Sequence, residues 1–156
     1  KELQKIKGIG PSKAMQILAM AELKKRHSQS SKLVEKITNA ENVFDLFHER
    51  LGKENQEHFI ILMLNNRNHI IGEKEIYKGT IDSTLIEPKE IFQIATKNFA
   101  VRIILVHNHP SGDPKPSRED IEVTKKLIKT GKMLNLQVLD HIIIGKENYW
   151  SWSEAS

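Results

Sequence analysis

Two short apolar runs constrain this chain more than any other feature. Phe59-Ile60-Ile61-Leu62-Met63-Leu64 is unbroken, and the stretch Val101 to Val106 is interrupted only by Arg102. Each is six residues long, too short for a typical helix, so both read as buried strands. The segments between and around them have a different period. Residues 41–51 place Val43, Phe44, Phe47 and Leu51 at helical spacing, and Pro88 suits the first turn of a helix that runs to about Asn98 with Ile91, Ile94 and Ala95 inward. Ser117 opens another helix through Ile121, Thr124, Leu127 and Ile128 that closes near Asn135. Asn65-Asn66-Arg67-Asn68 is a turn, because asparagine tolerates positive φ, and residues 69–77 return as the second arm of a hairpin. Gln137 to Ile144 forms a further strand and Tyr149–Trp152 a short edge strand. Strands alternating with helices predict an α/β sandwich around one mixed sheet.

A chain of 156 residues has room for one such domain and a small appendage. With 38% hydrophobic and 28% charged residues it is too apolar for wholesale disorder. No apolar run approaches the roughly 18 residues that a membrane-spanning helix needs. There is no cysteine, which excludes a disulfide scaffold, a thiol nucleophile, a Cys-ligated zinc finger and an iron–sulfur site. Any metal must be held by His, Asp or Glu. No signal peptide is visible, so a cytoplasmic location is expected. The opening residue, Lys1, points to a piece of something longer. The expected organisation is a basic helical segment over 1–27, a Ser-rich linker over 28–40 and the α/β domain over 41–156.

The richest chemistry follows the second apolar run directly, in His107-Asn108-His109-Pro110-Ser111-Gly112-Asp113-Pro114-Lys115-Pro116-Ser117-Arg118-Glu119-Asp120. Residues i and i+2 of an extended chain point to one side, so His107 and His109 can reach one ion. The loop is stiffened by Pro110, Pro114 and Pro116 and folds back to start a helix, whose first turn brings the Asp120 carboxylate to the same point. Two imidazoles and a carboxylate leave zinc a fourth position for water, as catalytic sites do, and the pKa of that water can fall to about 7. Ser117 and Asp120 also fit a capping-box-like helix start.

The run His-x-His-Pro, six residues, Ser-x-x-Asp resembles the JAMM signature of the JAB/MPN metalloprotease fold. The longer His-Asn-His-Pro-Ser-Gly-Asp-Pro with Pro-Ser-Arg-Glu-Asp is similar to the bacterial RadC family in particular, as are Gly79-Thr80, Pro88-x-Glu90-Ile91-Phe92 and Leu139-Asp140-His141. The resemblance implies a cytidine-deaminase-like α/β/α fold, zinc on His107, His109 and Asp120, and more helical sequence ahead of Lys1. It also implies a general-base glutamate on an earlier strand and a serine, matched by Ser117, that stabilises the tetrahedral intermediate. Glu57 is the first choice for the base, because it stands immediately before the strand Phe59–Leu64. Glu54, Glu73 and Glu90 remain rivals, since a base is judged by its reach to the water. Asp140 and His141 are candidate partners behind the ligands, and strand alternation allows only one of them to face the site. The letters His-Asn-His do not make an HNH nuclease, whose residues are dispersed over a ββα unit. The zinc deaminases need Pro-Cys-x-x-Cys, which is absent.

Residues 1–27 hold seven bases against two acids, a net +5, which leaves −1 for the rest of a chain whose total is +4. Within them, Leu3-x-x-Ile6-x-Gly8-Ile9-Gly10-Pro11-x-x-Ala14-x-x-Ile17 resembles a helix-hairpin-helix element. Gly8 and Gly10 would shape a turn whose amides face a phosphate, with Lys13 nearby. That predicts non-specific DNA contact without base readout. The function expected is therefore a zinc-dependent JAMM-type hydrolase of a peptide or protein substrate, a peptidase or isopeptidase. The alternative is a DNA-associated zinc protein or nuclease without peptidase activity.

Overall fold

The structure is a computed structural model and describes residue 6 and residues 10–20, 36–79 and 86–155. It divides into two units, Lys1–Glu35 and Lys36–Ser156. In the first, residues 11–20 form helix α1, opened by Pro11, with the Ala14 amide donating to the Gly10 carbonyl at 3.0 Å. Gly8 and residues 28–35 lie outside the described residues. A side chain at Gly10 would meet open space. Lys13 lies on the exposed surface of α1.

In the second unit the elements follow the order α2 (Ala40–Leu51), β1 (His58–Leu64), β2 (Ile70–Lys78), α3 (Pro88–Lys97), β3 (Arg102–Asn108), α4 (Arg118–Leu134), β4 (Gln137–Ile144), β5 (Tyr149–Ser151) and α5 (Trp152–Ala155). The unit starts earlier than composition suggests. Lys36 bridges to His69, Ile37 is buried, and Asn39 caps α2 by accepting from the Asn42 amide. Residues 36–40, placed in the linker from their polarity, therefore belong to the fold. Trp152 likewise opens α5 instead of ending the edge strand.

One sheet runs in the order β2-β1-β3-β4-β5. β1 pairs antiparallel with β2 and β3, β3 pairs parallel with β4, and β4 pairs antiparallel with β5, so the sheet is mixed. Every residue of β1 is buried, as a strand covered on both faces requires. Alternation splits its side chains between two cores. Ile60, Leu62, Leu64, Ile104 and Val106 pack with Val43, Phe47 and Leu51 of α2. Phe59, Ile61, Met63, Ile103 and Leu105 pack with Ile91, Phe92 and Ala95 of α3 and Val123 and Leu127 of α4. The buried stripe of α4 is centred on Val123, with Ile121 and Ile128 only half-buried. The result is an α/β/α sandwich.

Candidate metal centre

The site forms where β3 ends. His107 is fully buried on the side covered by α3 and α4, and His109 follows one residue past the strand. Asp120, buried in the first turn of α4, meets them from the returning helix. His107, His109 and Asp120 each offer a ligand atom, all within 4.8 Å of one another. The two Nε2 atoms are 3.0 Å apart, His107 Nε2 lies 3.3 Å from Asp120 Oδ1, and His109 Nε2 lies 3.4 Å from Asp120 Oδ2. Ligands about 2.0–2.1 Å from a tetrahedral zinc stand about 3.3 Å from one another. The three side chains thus match one face of such a tetrahedron.

The proton inventory points the same way. His109 Nδ1 faces the Asp113 carbonyl at 2.8 Å; a carbonyl only accepts, so the proton is on Nδ1 and the Nε2 lone pair faces the site. The Thr124 hydroxyl donates to the Asp120 carbonyl at 2.6 Å. Its oxygen is then an acceptor for His141 Nδ1, which leaves His141 Nε2 to accept from His107 Nδ1 at 2.8 Å. The Nε2 lone pair of His107 is therefore also free. Two lone pairs and a carboxylate converge on a place suited to a cation, and each ligand ring donates its other N–H to a supporting group, as metal-bound histidines do.

The electrostatics agree. Burial, helped by His141, lowers the pKa of His107 well below 6.5, against the pull of Asp120. Burial also depresses His141, to about 4. For His109, burial is outweighed by the Asp120 hydrogen bond, the Asp113 carbonyl and the charges of Asp120 and Glu57, and its pKa rises. Burial would raise Asp120, but hydrogen bonds from His109 and Ser117 and the neighbouring His107 hold it well below the usual carboxylate range.

A β-bulge is what turns His141 toward His107. The β3–β4 register passes from Ile103↔Val138 to Ile104↔Asp140 and leaves Leu139 as an extra residue. Without it, His141 would face α2. Asp140 points the other way and accepts from Ser151 and Ser153, so only His141 of the two faces the site.

Glu57 is half-buried and lines a cavity of about 420 Å³ with His109, Pro110, Ser111, Ser117, Glu119 and Asp120. Phe59 pairs with His107, and the same antiparallel register carries Glu57 toward His109. Asn108 pins this junction: its Oδ1 accepts from the His58 amide at 2.9 Å and its Nδ2 donates to the Gln56 carbonyl at 3.1 Å. The rival glutamates are elsewhere. Glu54 lies by His58, Glu73 pairs with Arg50 at 2.6 Å, and Glu90 sits in the first turn of α3.

Ser117 forms the capping box expected of it with Asp120. Its hydroxyl donates to Asp120 Oδ2 at 2.7 Å and accepts the Asp120 amide at 3.1 Å, and its amide donates to Asp120 Oδ2 at 2.7 Å. These bonds make the serine both the cap of α4 and the group that orients the candidate ligand Asp120. Asn108, Thr124 and Glu119 were not singled out from the sequence. Only Asn108, between the two histidines, carried a local signal.

Comparison with known proteins fits this geometry. Residues 37–156 match the RadC-like JAB domain. The chain is 46% identical over 156 residues to a UPF0758 protein of Alkaliphilus metalliredigens, with 99% of this chain and 67% of the relative covered. It is 44% identical over 155 residues to one of Chlorobaculum parvum, covering 99% and 70%, and 46% identical over 154 residues to one of Clostridium perfringens, covering 99% and 68%. A mixed sheet, a His-His-Asp cluster at the end of β3 and these relatives agree: the chain belongs to the RadC-like JAB domain family.

Proposed function

We propose that this domain is a zinc-dependent hydrolase of JAMM type that cleaves peptide or isopeptide bonds. The observation that carries the reading is the convergence of two histidine lone pairs and the Asp120 carboxylate beside a half-buried glutamate. Zinc held by His107, His109 and Asp120 would act as a Lewis acid and lower the pKa of a water to about 7. The Glu57 carboxylate accepts the proton of the attacking water and hands it to the departing amine. Asn108 keeps Glu57 at the cavity wall by tying the entrance of β1 to the exit of β3. Ser117 orients Asp120. The substrate enters the cavity between Glu57 and Glu119.

The test is Glu57→Gln assayed on a peptide library with zinc content measured in parallel. It should keep about one zinc per chain, because it removes no ligand, and lose turnover about 10²–10⁴-fold. Loss of zinc would make Glu57 a ligand and end the three-ligand assignment. A second reading, a DNA-associated zinc protein or nuclease, draws on the basic excess of residues 1–27. Salt-sensitive DNA binding by a zinc-loaded wild type that cleaves no peptide would favour it.

A further inference from the structure

The end of the sheet remote from the metal centre carries a second feature. α3 and α4 both end there, because each leads directly into a strand whose far end reaches the site. Among the described residues, four large apolar side chains stand in solvent at this end: Phe99 at 87% exposure, Met133 at 79%, Leu134 at 57% and Val101 at 45%. Val101 is fixed between β1 and β4 through its amide on the Leu64 carbonyl and its carbonyl under the Gln137 amide. That places it beside the end of α4.

Phe99 is the most anomalous of them. The Phe99 amide bonds to Thr96 and the Ala100 amide to Ala95, the paired bonds of a Schellman cap with Phe99 in the position usually given to glycine. Its φ is 57°, a left-handed conformation that a bulky residue adopts only at a cost. α4 ends with the same kind of cap, but with Asn135 at φ 54° in the left-handed position, where asparagine is an ordinary choice. Among the described residues the strain at Phe99 yields no packing, since the ring is exposed.

The surroundings of the patch carry one sign of charge. Segments 64–70, 97–102 and 129–139 contain five bases (Arg67, Lys97, Arg102, Lys129 and Lys132) and no acid. We infer that this end is a docking surface for an acidic, amphipathic polypeptide segment, whose apolar stripe covers Phe99, Val101, Met133 and Leu134 while its carboxylates meet Lys97 and Lys132. The charge argues against a second copy of this chain, which would bring like charge to like. Three of the four apolar side chains are aliphatic or thioether and adapt to a polypeptide, whereas a nucleic acid would use only the ring. The surface lies away from the catalytic cavity, so it serves to recruit and not to cleave.

The experiment uses the full chain and two synthetic 16-residue amphipathic peptides with one leucine–phenylalanine stripe, one filled in with glutamate and the other with lysine. A 20-residue oligothymidylate serves as a third probe. Binding is followed by fluorescence anisotropy and amide shift mapping. The glutamate peptide should bind, with shifts confined to 96–102 and 130–137, and at least tenfold more tightly than the lysine peptide. Phe99→Gly should weaken it fivefold or more while raising the melting temperature by a few degrees, because it relieves the left-handed strain. That combination separates lost docking from lost folding. Met133→Ser gives a second check away from the cap and should weaken binding to a similar degree. Equal binding of both peptides, no binding at millimolar concentration, or binding unchanged in Phe99→Gly would overturn the inference. So would oligothymidylate binding at these residues, or self-association abolished by Phe99→Gly.

Discussion

Thr124 is two hydrogen bonds removed from His107, yet its hydroxyl decides which nitrogen of that ring is free. It donates to the Asp120 carbonyl and accepts from His141, and His141 in turn accepts from His107. Thr124→Val keeps the shape and removes both functions. Zinc affinity should fall about 10–100-fold, the usual cost of losing a group behind a ligand. The stranded His141 N–H should cost a further ~1–3 kcal/mol of stability. Thr124→Ser should behave like wild type. Zinc titration against a competing chelator checks both variants, and an unchanged Thr124→Val would remove the hydroxyl from the proton inventory. At this scale the convergence of His107, His109 and Asp120 was legible, because packing alone does not require His-x-His at a strand end with an acid in the first turn of the next helix. Thr124 was not, because a threonine inside a helix looks like any other until a bulge turns His141 toward it.

The first turn of α4 combines a cap and the mount of a candidate ligand in one motif. Ser117 and Asp120 satisfy each other's backbone amides in a capping box, while the same carboxylate faces both histidines. Ser117→Ala should therefore lower stability by about 1 kcal/mol and also weaken zinc, because Asp120 loses the hydroxyl that orients it. A urea melt and a zinc titration on the same sample separate the two effects; intact affinity would reduce Ser117 to a cap. The turn after β4 braces the loop from the other side. The Lys146 amide donates to the Gly112 carbonyl and the His109 amide to the Ile144 carbonyl. A Cβ on Gly145 would stand 2.6 Å from the Gly112 oxygen and 2.8 Å from Pro114 Cδ. Gly145→Ala should push out the loop that carries the Asp113 carbonyl, loosen His109 and lower zinc occupancy while far-ultraviolet dichroism stays native. Full occupancy would show that the loop can yield without moving the ligand. The buried strands were readable because six apolar residues in a row leave little choice. The bulge at Leu139 was not, since neither Gly nor Pro marks Val138-Leu139-Asp140 and only pairing with β3 reveals the extra residue.

Across the whole molecule, the sandwich was legible because its periods alternate cleanly, and the domain start was not, because Lys36–Ala40 are held by a bridge and a cap that composition does not show. The sandwich also encloses His107 and His141 so completely that folding itself depends on pH. His141 has a pKa of about 4 in the fold and about 6.5 unfolded, so the folded state resists a proton that the unfolded chain accepts. Its contribution is fully present above pH 6.5 and is lost as pH falls toward 4, at most roughly 3 kcal/mol at about 1.4 kcal/mol per pKa unit. His107, also lowered by burial, acts in the same direction. His109 opposes them: its pKa is raised, so its contribution is present below 6.5 and fades as pH rises through the folded value. Asp120, held below the usual carboxylate range, contributes above its unfolded pKa near 3.8 and loses that contribution only in stronger acid. Chelator-treated protein should therefore lose stability between pH 6.5 and 4, before Asp120 is involved. His141→Gln keeps a hydrogen-bonding side chain but removes the titrating group, so its stability curve over that interval should be flatter by about one proton. Denaturant midpoints at half-unit pH steps measure the slope. Parallel curves for the two proteins would mean that His141 takes up a proton in the fold as readily as outside it, and that it does not stand as the neutral acceptor on which the orientation of His107 depends.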